Sequence, residues 1–197
     1  MGLDAAAVAG RVRCLRPRRW IRVIKREFAS NPLGTGYGSS RFSAPDRSFR
    51  VLYAARDLAT AIAEGIVRDR FEAVNDREME RSELEAWSAT EISSNRLLNV
   101  VDLRRGSAFL LGIDTDAVGA RKHDEGQTFA VELHGIRHLP GQLGSIDGIL
   151  YSSRLTGWDC IAVFDRATAM LAATPGVDLH RLKELPAALD QLWIVLR

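Results

Sequence analysis

The chain has 197 residues, 46% of them hydrophobic, which is enough to bury the core of one domain. Its 27 basic and 25 acidic residues leave a net charge of +2, a balance that favours neither a general nucleic-acid binder nor an acidic-tail protein. No apolar run approaches the roughly 18 residues that cross a bilayer, so we expect no membrane partner. Cys14 and Cys160 form no CxxC pair, which predicts reduced thiols and a cytoplasmic location.

The first 19 residues form a basic lead. Five arginines stand close together in it: Arg11, Arg13, Arg16, Arg18 and Arg19. Such a cluster could bind phosphate groups, but no aromatic residues or nucleic-acid motif accompany it, so we predict a solvated surface segment. Trp20–Lys25 then alternates in the way that is typical of a strand.

A glycine-rich turn, an arginine and a strand follow one another after residue 33. The glycines at positions 34, 36 and 38 allow a positive φ or a close approach of the backbone to a ligand, and they lead directly to Arg41. Phe49–Tyr53 has the composition of a strand. The sequence therefore predicts an arginine held beside the start of a strand.

A helix carrying a carboxylate comes next. Asp57 can cap this helix, which we predict to run to about Phe71. By their i, i+3, i+4 spacing, Asp57, Thr60 and Glu64 share its polar face. On its own Glu64 could simply form a surface ion pair with Arg68, one turn further on.

The rest of the chain supplies more strands than helices. We predict an exposed charged helix or loop at 75–87, a turn-rich stretch with a short helix at 112–127, a helix at 128–134 that Gly135 or Pro140-Gly141 ends, and strands at 88–94, 97–103, 146–151, 160–164 and 192–196. The strands at 146–151 and 160–164 should pair as a hairpin, because their connection is short. Since strands and helices do not alternate regularly, the pattern predicts an α+β fold.

Two segments resemble familiar motifs but lack features that those motifs require. The glycine turn at 34–38 has no preceding strand in register, the wrong glycine spacing and no acid at the required distance, so it is not a dinucleotide-binding loop. His134 and His138 have the i, i+4 spacing of a helical zinc pair. Gly135 follows where a general-base glutamate would stand, and no third ligand is evident, so we expect no metal.

Taken together, several motifs resemble the RES domain family, named for its arginine, glutamate and serine. They are GYGSSRF at 36–42, Leu52-Tyr53-x-Ala, Ala63-Glu64, and DGILYxSR at 147–154 followed by Ala-Val-Phe. The resemblance covers about 20–167, and the order and context of the three naming residues match. We therefore assign residues 20–197 to a single RES-like catalytic domain.

The resemblance implies an α+β fold like that of ADP-ribosyltransferases, with a split β-sheet core and flanking helices. It implies a toxin of a type II toxin–antitoxin system that degrades NAD⁺ by cleaving the nicotinamide–ribose bond, through hydrolysis or phosphorolysis. NAD⁺ is then a substrate, and no cofactor is expected. A cognate antitoxin protein would block the cleft, nucleic acid would be contacted at most through that antitoxin, and a homo-oligomer stays open.

By matching motifs, Arg41, Glu64 and Ser153 take the family's catalytic places, and Tyr53 joins Arg41 and Ser153 in substrate binding. We choose Ser153 over Ser152 because the family's serine stands two residues after the tyrosine. Cleavage develops positive charge at the ribose, which the carboxylate of Glu64 would stabilise. Arg41 could hold the pyrophosphate through paired donors. Tyr53 could stack on or bond to the nicotinamide, and Ser153 could hold the ribose or the amide.

Two alternatives stay open beside this hypothesis. One is a protein ADP-ribosyltransferase that uses NAD⁺ within the same fold, so that the acceptor could be water, phosphate or a protein. The other is a non-catalytic module that binds nucleic acid through the basic stretch from Arg11 to Arg26.

Overall fold

The structure is a computed structural model that describes residues 2–68, 70–104, 106–112, 123–138 and 144–197. Most of the predicted turn-rich stretch, residues 113–122, lies outside the described residues, and so does the alternative helix stop at 140–141. The strands are β1 Val12–Leu15, β2 Trp20–Lys25, β3 Val51–Ala55, β4 Glu78–Met79, β5 Trp87–Ser94, β6 Leu98–Asp102, β7 Gly148–Ser152, β8 Asp159–Phe164, β9 Leu171–Ala173, β10 Val177–Asp178 and β11 Val195–Leu196.

Short helices lie around these strands. The α-helices are α1 Ala5–Ala9, α2 Leu58–Ile62, α3 Arg81–Glu85, α4 Ser107–Leu110, α5 Asp124–Gly135 and α6 Leu185–Gln191. A π-helical turn, Ala63–Val67, continues α2 directly. Three 3₁₀ turns lie within the described ranges: Arg26–Phe28, Asp165–Met170 and Leu179–Arg181. None of the described helices is long and apolar enough to span a membrane.

The main sheet has the strand order β1-β6-β7-β8-β3-β2-β5-β10, and β9 pairs with β5. Its pairs are antiparallel except for β6 with β7, and β11 with β4 forms a small parallel sheet of its own. Strands therefore do not alternate with crossover helices, which confirms the predicted α+β class.

The main sheet is almost divided between β2 and β3. These strands share one register pair, Ile21 with Ala55. In contrast, β2 pairs with β5 along its whole length, and β3 does the same with β8. The sheet thus consists of two halves that are joined at one point, and this division is what opens a cleft.

The core lies on both faces of the sheet. Leu52 of β3 packs with Trp20 and Ile161 on one face, whereas Val51 packs on the other face with Leu133 of α5. This alternation is the period of two that a strand imposes. A third cluster packs α2 against α6 beneath the β2–β5 half, so the helix that precedes Glu64 is anchored on its apolar side.

Most predicted elements are confirmed, including the strand at 20–25 and the β7–β8 hairpin. The predicted helix to Phe71 is too long, because α2 passes into the π turn and Arg68 adopts a positive φ of 47°, which ends it. The strand placed at 49–53 begins two residues later, because the backbone N–H of Arg50 donates to the Asp165 carboxylate and not to a neighbouring strand. The strand at 192–196 shrinks to two residues, because Trp193 has a φ of 58°.

The basic lead contributes to the sheet. Its residues form α1 and the edge strand β1, which pairs with β6. Val8 is buried in the same cluster as Val51. Arg13 and Arg19 are paired with Asp102 and Glu91.

Gly148 supplies a test of the sheet register, because a Cβ there would lie 2.3 Å from the carbonyl oxygen of Ala162 on β8. We expect Gly148→Ala to lower the free energy of unfolding by about 1–3 kcal/mol or more, since backbone has to move. Urea denaturation measures the change. Gly135→Ala is the matched control, because its added Cβ meets nothing within 4 Å, and a stability loss as large in the control would contradict this register.

Candidate active site

A cleft of about 330 Å³ opens where β2 and β3 separate. Both strands line it, and so do three segments that the sheet carries: the loop before β3, the π turn after α2, and the turn between β7 and β8. Arg41, Tyr53 and Glu64 all line this cleft. Ser153 reaches it through a hydrogen bond to Glu64, so the structure brings together the four residues that the sequence singled out.

Arg41 lies on the loop before β3 with an unsatisfied donor. Its Nε is buried and has no hydrogen-bond partner within the described part of the chain. Its Cζ lies 5.9 Å from the centroid of the Tyr151 ring, so the guanidinium is held against an aromatic face. A buried donor without a partner costs about 1–3 kcal/mol, which a bound acceptor would recover.

Tyr53 ties the Arg41 loop to the sheet. Its hydroxyl oxygen accepts hydrogen bonds from Ser40 Oγ at 3.0 Å and from the Phe42 backbone N–H at 3.1 Å. Burial raises the pKa of Tyr53, so the phenol stays neutral. Because Arg41 stands between the two tethered residues, Tyr53 fixes its position. The predicted contact of Tyr53 with nicotinamide stays a prediction.

Of the three glycines before Arg41, not all are required by the backbone or by packing. None of the glycines at 34, 36 and 38 adopts a positive φ, so the prediction of a positive φ at these positions is wrong. At Gly34 a Cβ would lie 2.7 Å from Asn31 Nδ2, whereas at Gly36 it would meet nothing within 4 Å. Close packing against Asn31 is therefore the requirement, and it applies to Gly34.

Glu64 and Ser153 form the central contact of the cleft. Ser153 Oγ donates to Glu64 Oε1 at 2.6 Å, and Ser153 is only 3% exposed. Within the described residues Glu64 Oε2 has no hydrogen-bond partner, so one carboxylate oxygen is fixed and the other is available. Glu64 lies on the π turn, a distortion that is frequent at functional sites.

Arg22 is a cleft residue that the sequence analysis did not single out. One of its terminal nitrogens, Nη2, donates to the Gly34 carbonyl at 2.8 Å, while Nη1 is buried without a partner among the described residues. Burial lowers its pKa to about 10, so it remains charged at neutral pH. A signal was present, because Arg22 stands two residues from both Trp20 and Ile24, on the buried side of its strand.

The charge of the cleft is predominantly positive. Its charged lining residues in the described chain are Arg22, Arg41, Arg68, Arg154 and Glu64. An anionic ligand therefore suits most of the surface, and a group with positive charge suits the point where Glu64 stands. A dinucleotide with a pyrophosphate and a cationic ring has both features.

Cys160 also lines the cleft, but its chemistry is unsuited to nucleophilic attack. Burial raises the pKa of its thiol far above the ordinary value, with Glu64 adding to the effect. The thiol is therefore protonated and poorly reactive. Both Cys14 and Cys160 are free, in agreement with the predicted reduced thiols.

Comparison with known proteins identifies the family. A model of the RES domain matches residues 12–185, which is most of the chain. The chain belongs to the RES domain family. A relative described as "Probable toxin y4kH" from Sinorhizobium fredii (strain NBRC 101917 / NGR234) is 34% identical over 90 residues, which are 46% of this chain and 66% of that protein.

The RES domain also has a structural counterpart. One chain of the crystal structure of the M. tuberculosis MbcT–MbcA toxin–antitoxin complex superposes with a TM-score of 0.63. The match covers 95% of this chain and 97% of the other at 16% sequence identity. The likeness at this identity concerns the fold, and it agrees with the predicted ADP-ribosyltransferase-like architecture.

The ring of His134 packs between aromatic side chains. Its ring stacks on Phe49 with centroids 4.2 Å apart and meets the ring of Phe164 edge-on. Burial, followed by the nearby charge of Arg166, lowers its pKa to about 4. No group of three or more metal-ligating side chains occurs among the described residues.

The lowered pKa of His134 predicts how stability changes with pH. The unfolded state takes up the proton near pH 6.5, but the folded state does so only near pH 4. The contribution of His134 to stability is therefore full above pH 6.5 and is lost as the pH falls from about 6.5 to about 4. Urea midpoints at pH 7.0, 5.5 and 4.5 measure the loss.

His134→Phe serves as the comparison, because it keeps an aromatic ring between Phe49 and Phe164 without a titrating group. We expect its midpoint to fall less than that of the wild type over the same pH range. Parallel curves for the two proteins would show that His134 does not titrate in this way.

Proposed function

We propose that this RES domain is the toxin of a toxin–antitoxin pair and that it cleaves the nicotinamide–ribose bond of NAD⁺. One observation carries the proposal: the carboxylate of Glu64, oriented by Ser153 at 2.6 Å, in a cleft whose other charged lining residues in the described chain are arginines. The toxin assignment is supported by family membership and by the printed descriptions of the relative and the structural neighbour. We expect the protein to act in the cytoplasm, where its substrate is made.

Substrate binding in this proposal uses the unsatisfied arginine donors. Arg41 Nε and Arg22 Nη1 are buried and unpaired within the described chain, and phosphate oxygens are strong acceptors for both. The planar fork of each guanidinium suits a pyrophosphate. The anionic bridge of NAD⁺ would thus recover hydrogen bonds that the free protein lacks.

Bond cleavage in this proposal uses Glu64. The electron pair of the C–N bond leaves with nicotinamide, whose ring becomes neutral, and positive charge develops on the ribose. A fixed carboxylate stabilises that charge as it forms. The acceptor then bonds to the ribose carbon and loses its proton. Ser153 keeps Glu64 in place and could also contact the ribose.

The alternatives differ in their support. ADP-ribose transfer to a protein uses the same cleft, so the identity of the acceptor decides between it and NAD⁺ degradation. A nucleic-acid-binding arm is less favoured, because Arg13, Arg19 and Arg26 form ion pairs within the protein. An antitoxin that covers the cleft is proposed by analogy with the neighbour's toxin–antitoxin complex.

Glu64→Gln tests the proposal most directly. The amide keeps the shape and can still accept from Ser153, but it removes the negative charge. We expect kcat for NAD⁺ loss to fall by about 100-fold or more, as electrostatic groups of this kind do. Chromatography of NAD⁺ and nicotinamide measures it. Turnover of NAD⁺ by Glu64→Gln at the wild-type rate would contradict the catalytic role of Glu64.

Arg22→Lys tests the binding role of the residue that the sequence analysis missed. Lysine keeps the charge but loses the fork, so we expect KM for NAD⁺ to rise by about 10-fold with a smaller change in kcat. Arg19→Lys is the matched control, because Arg19 pairs on the surface with Glu91. An unchanged KM in Arg22→Lys would remove Arg22 from the binding site.

The acceptor is identified by the products. NAD⁺ is incubated with the protein with and without phosphate, and the products are resolved by mass spectrometry. Free ADP-ribose indicates water, a phosphorylated ADP-ribose that depends on added phosphate indicates phosphorolysis, and a protein with added ADP-ribose indicates transfer. No loss of NAD⁺ under any of these conditions would overturn the proposed activity.

A further inference from the structure

The turn between β7 and β8, residues 153–158, contacts the helix that leads to Glu64 at two separate points. The first is Ser153 on Glu64. The second is Thr156 on Thr60, whose hydroxyl oxygens lie 2.9 Å apart. Thr60 and Glu64 are one helical turn apart on the same face, so the two contacts lie side by side.

The hydrogen bonds at the first point have a fixed direction. Ser153 Oγ accepts from the backbone N–H of Leu155 at 3.1 Å and of Thr156 at 3.3 Å. A hydroxyl has one proton and two lone pairs. With both lone pairs engaged, its proton is committed to Glu64 Oε1. The orientation of Glu64 therefore depends on where the backbone of residues 155 and 156 lies.

The second point is directed in the same way. Thr60 Oγ1 donates to Asp57 Oδ2 at 2.9 Å, which uses its only proton, so it must accept from Thr156 Oγ1. Thr156 Oγ1 in turn accepts from the Trp158 backbone N–H at 3.3 Å. The chain of donors thus runs from the turn through two threonines to the carboxylate that caps α2.

The backbone of the turn is closed on itself. The N–H of Gly157 donates to the carbonyl of Ser153 at 2.9 Å, and the N–H of Ser153 donates to the carbonyl of Trp158 at 2.7 Å. Gly157 has a φ of 75°, which glycine adopts without strain. A closed turn moves as one unit, so the contact at Thr156 also restrains Ser153.

We propose that Thr60 and Thr156 are positioning residues that hold the Ser153–Glu64 pair in its productive geometry. This inference rests on the proposed NAD⁺ cleavage, because Glu64 is the group whose position matters. Thr60 is 0% exposed, so its hydroxyl is shielded from solvent, and the half-buried Thr156 contacts it across the two elements. Their effect on the reaction passes through Ser153.

Valine and serine variants test the inference. Thr156→Val and Thr60→Val keep the shape and remove the hydroxyl, whereas Thr156→Ser and Thr60→Ser keep it. We expect each valine variant to lower kcat by about 10-fold with little change in KM, because misplacement of a catalytic group affects the transition state most. The serine variants should recover most of the rate.

Combining Thr156→Val with Ser153→Ala distinguishes a positioning effect on kcat from a general loss of stability. If the threonines act through Ser153, Thr156→Val should lower kcat far less in the Ser153→Ala background than in the wild type, since interacting residues are not additive. Thr168→Val is the matched control, because its Oγ1 bonds to the Asp165 carbonyl within a 3₁₀ turn away from the cleft. It should keep the wild-type kcat.

The outcomes distinguish the inference from the proposed function. Wild-type kcat in both valine variants, or full additivity with Ser153→Ala, overturns the positioning role while leaving NAD⁺ cleavage intact. A kcat loss that serine does not recover also overturns it, because the hydroxyl is then not the cause. An inactive wild type, or an active Glu64→Gln, overturns the proposed function and this inference together.

Discussion

The single register pair between Ile21 and Ala55 sets the geometry of the cleft. Neighbouring strands normally pair along their length, which closes the sheet and leaves no room between them. Here β2 and β3 meet at one point, and Arg22 and Tyr53 line the space beside it. Each strand is held firmly by its other neighbour, so the opening does not loosen the two halves.

The opening leaves polar groups without partners. Nitrogens of Arg22 and Arg41 are buried and unpaired within the described chain, a condition that native proteins largely avoid. In the core proper such groups would count only as a loss of stability. In the cleft the same nitrogens are donors that are already shielded from water, which favours their binding to an anionic ligand. The unpaired nitrogens of Arg22 and Arg41 therefore coincide with the proposed site, whereas those of Arg166 and His180 belong to residues that do not line the cleft.

Family membership and site geometry support different parts of the account. The match to the RES model shows the family. The structural neighbour, at 16% sequence identity, shows the fold. Chemistry has to be argued from the site, since one fold can carry several activities. The contact of Glu64 with Ser153, which joins residues 89 apart in sequence, is a feature of this chain itself and supports the proposed chemistry.

Local patterns determined much of the fold. The alternation at 20–25, the hairpin of β7 with β8, and the cap by Asp57 were all predicted, because each depends on neighbours in the chain. The polar face with Thr60 and Glu64 followed from helical spacing alone. The motifs around Arg41, Tyr53, Glu64 and Ser153 named the cleft residues before any contact among them was known.

Tertiary structure decided what depends on distant neighbours. The early end of the helix and the π turn arise where α2 packs against the sheet, and a Cβ added at Gly65 there would lie 3.7 Å from the Cβ of Val23. The division of the sheet between β2 and β3 is also a long-range property, because each strand by itself has an ordinary pattern. Sequence thus singled out residues that come together at the cleft, while packing between distant segments decided which of their atoms are paired and which are left unpaired.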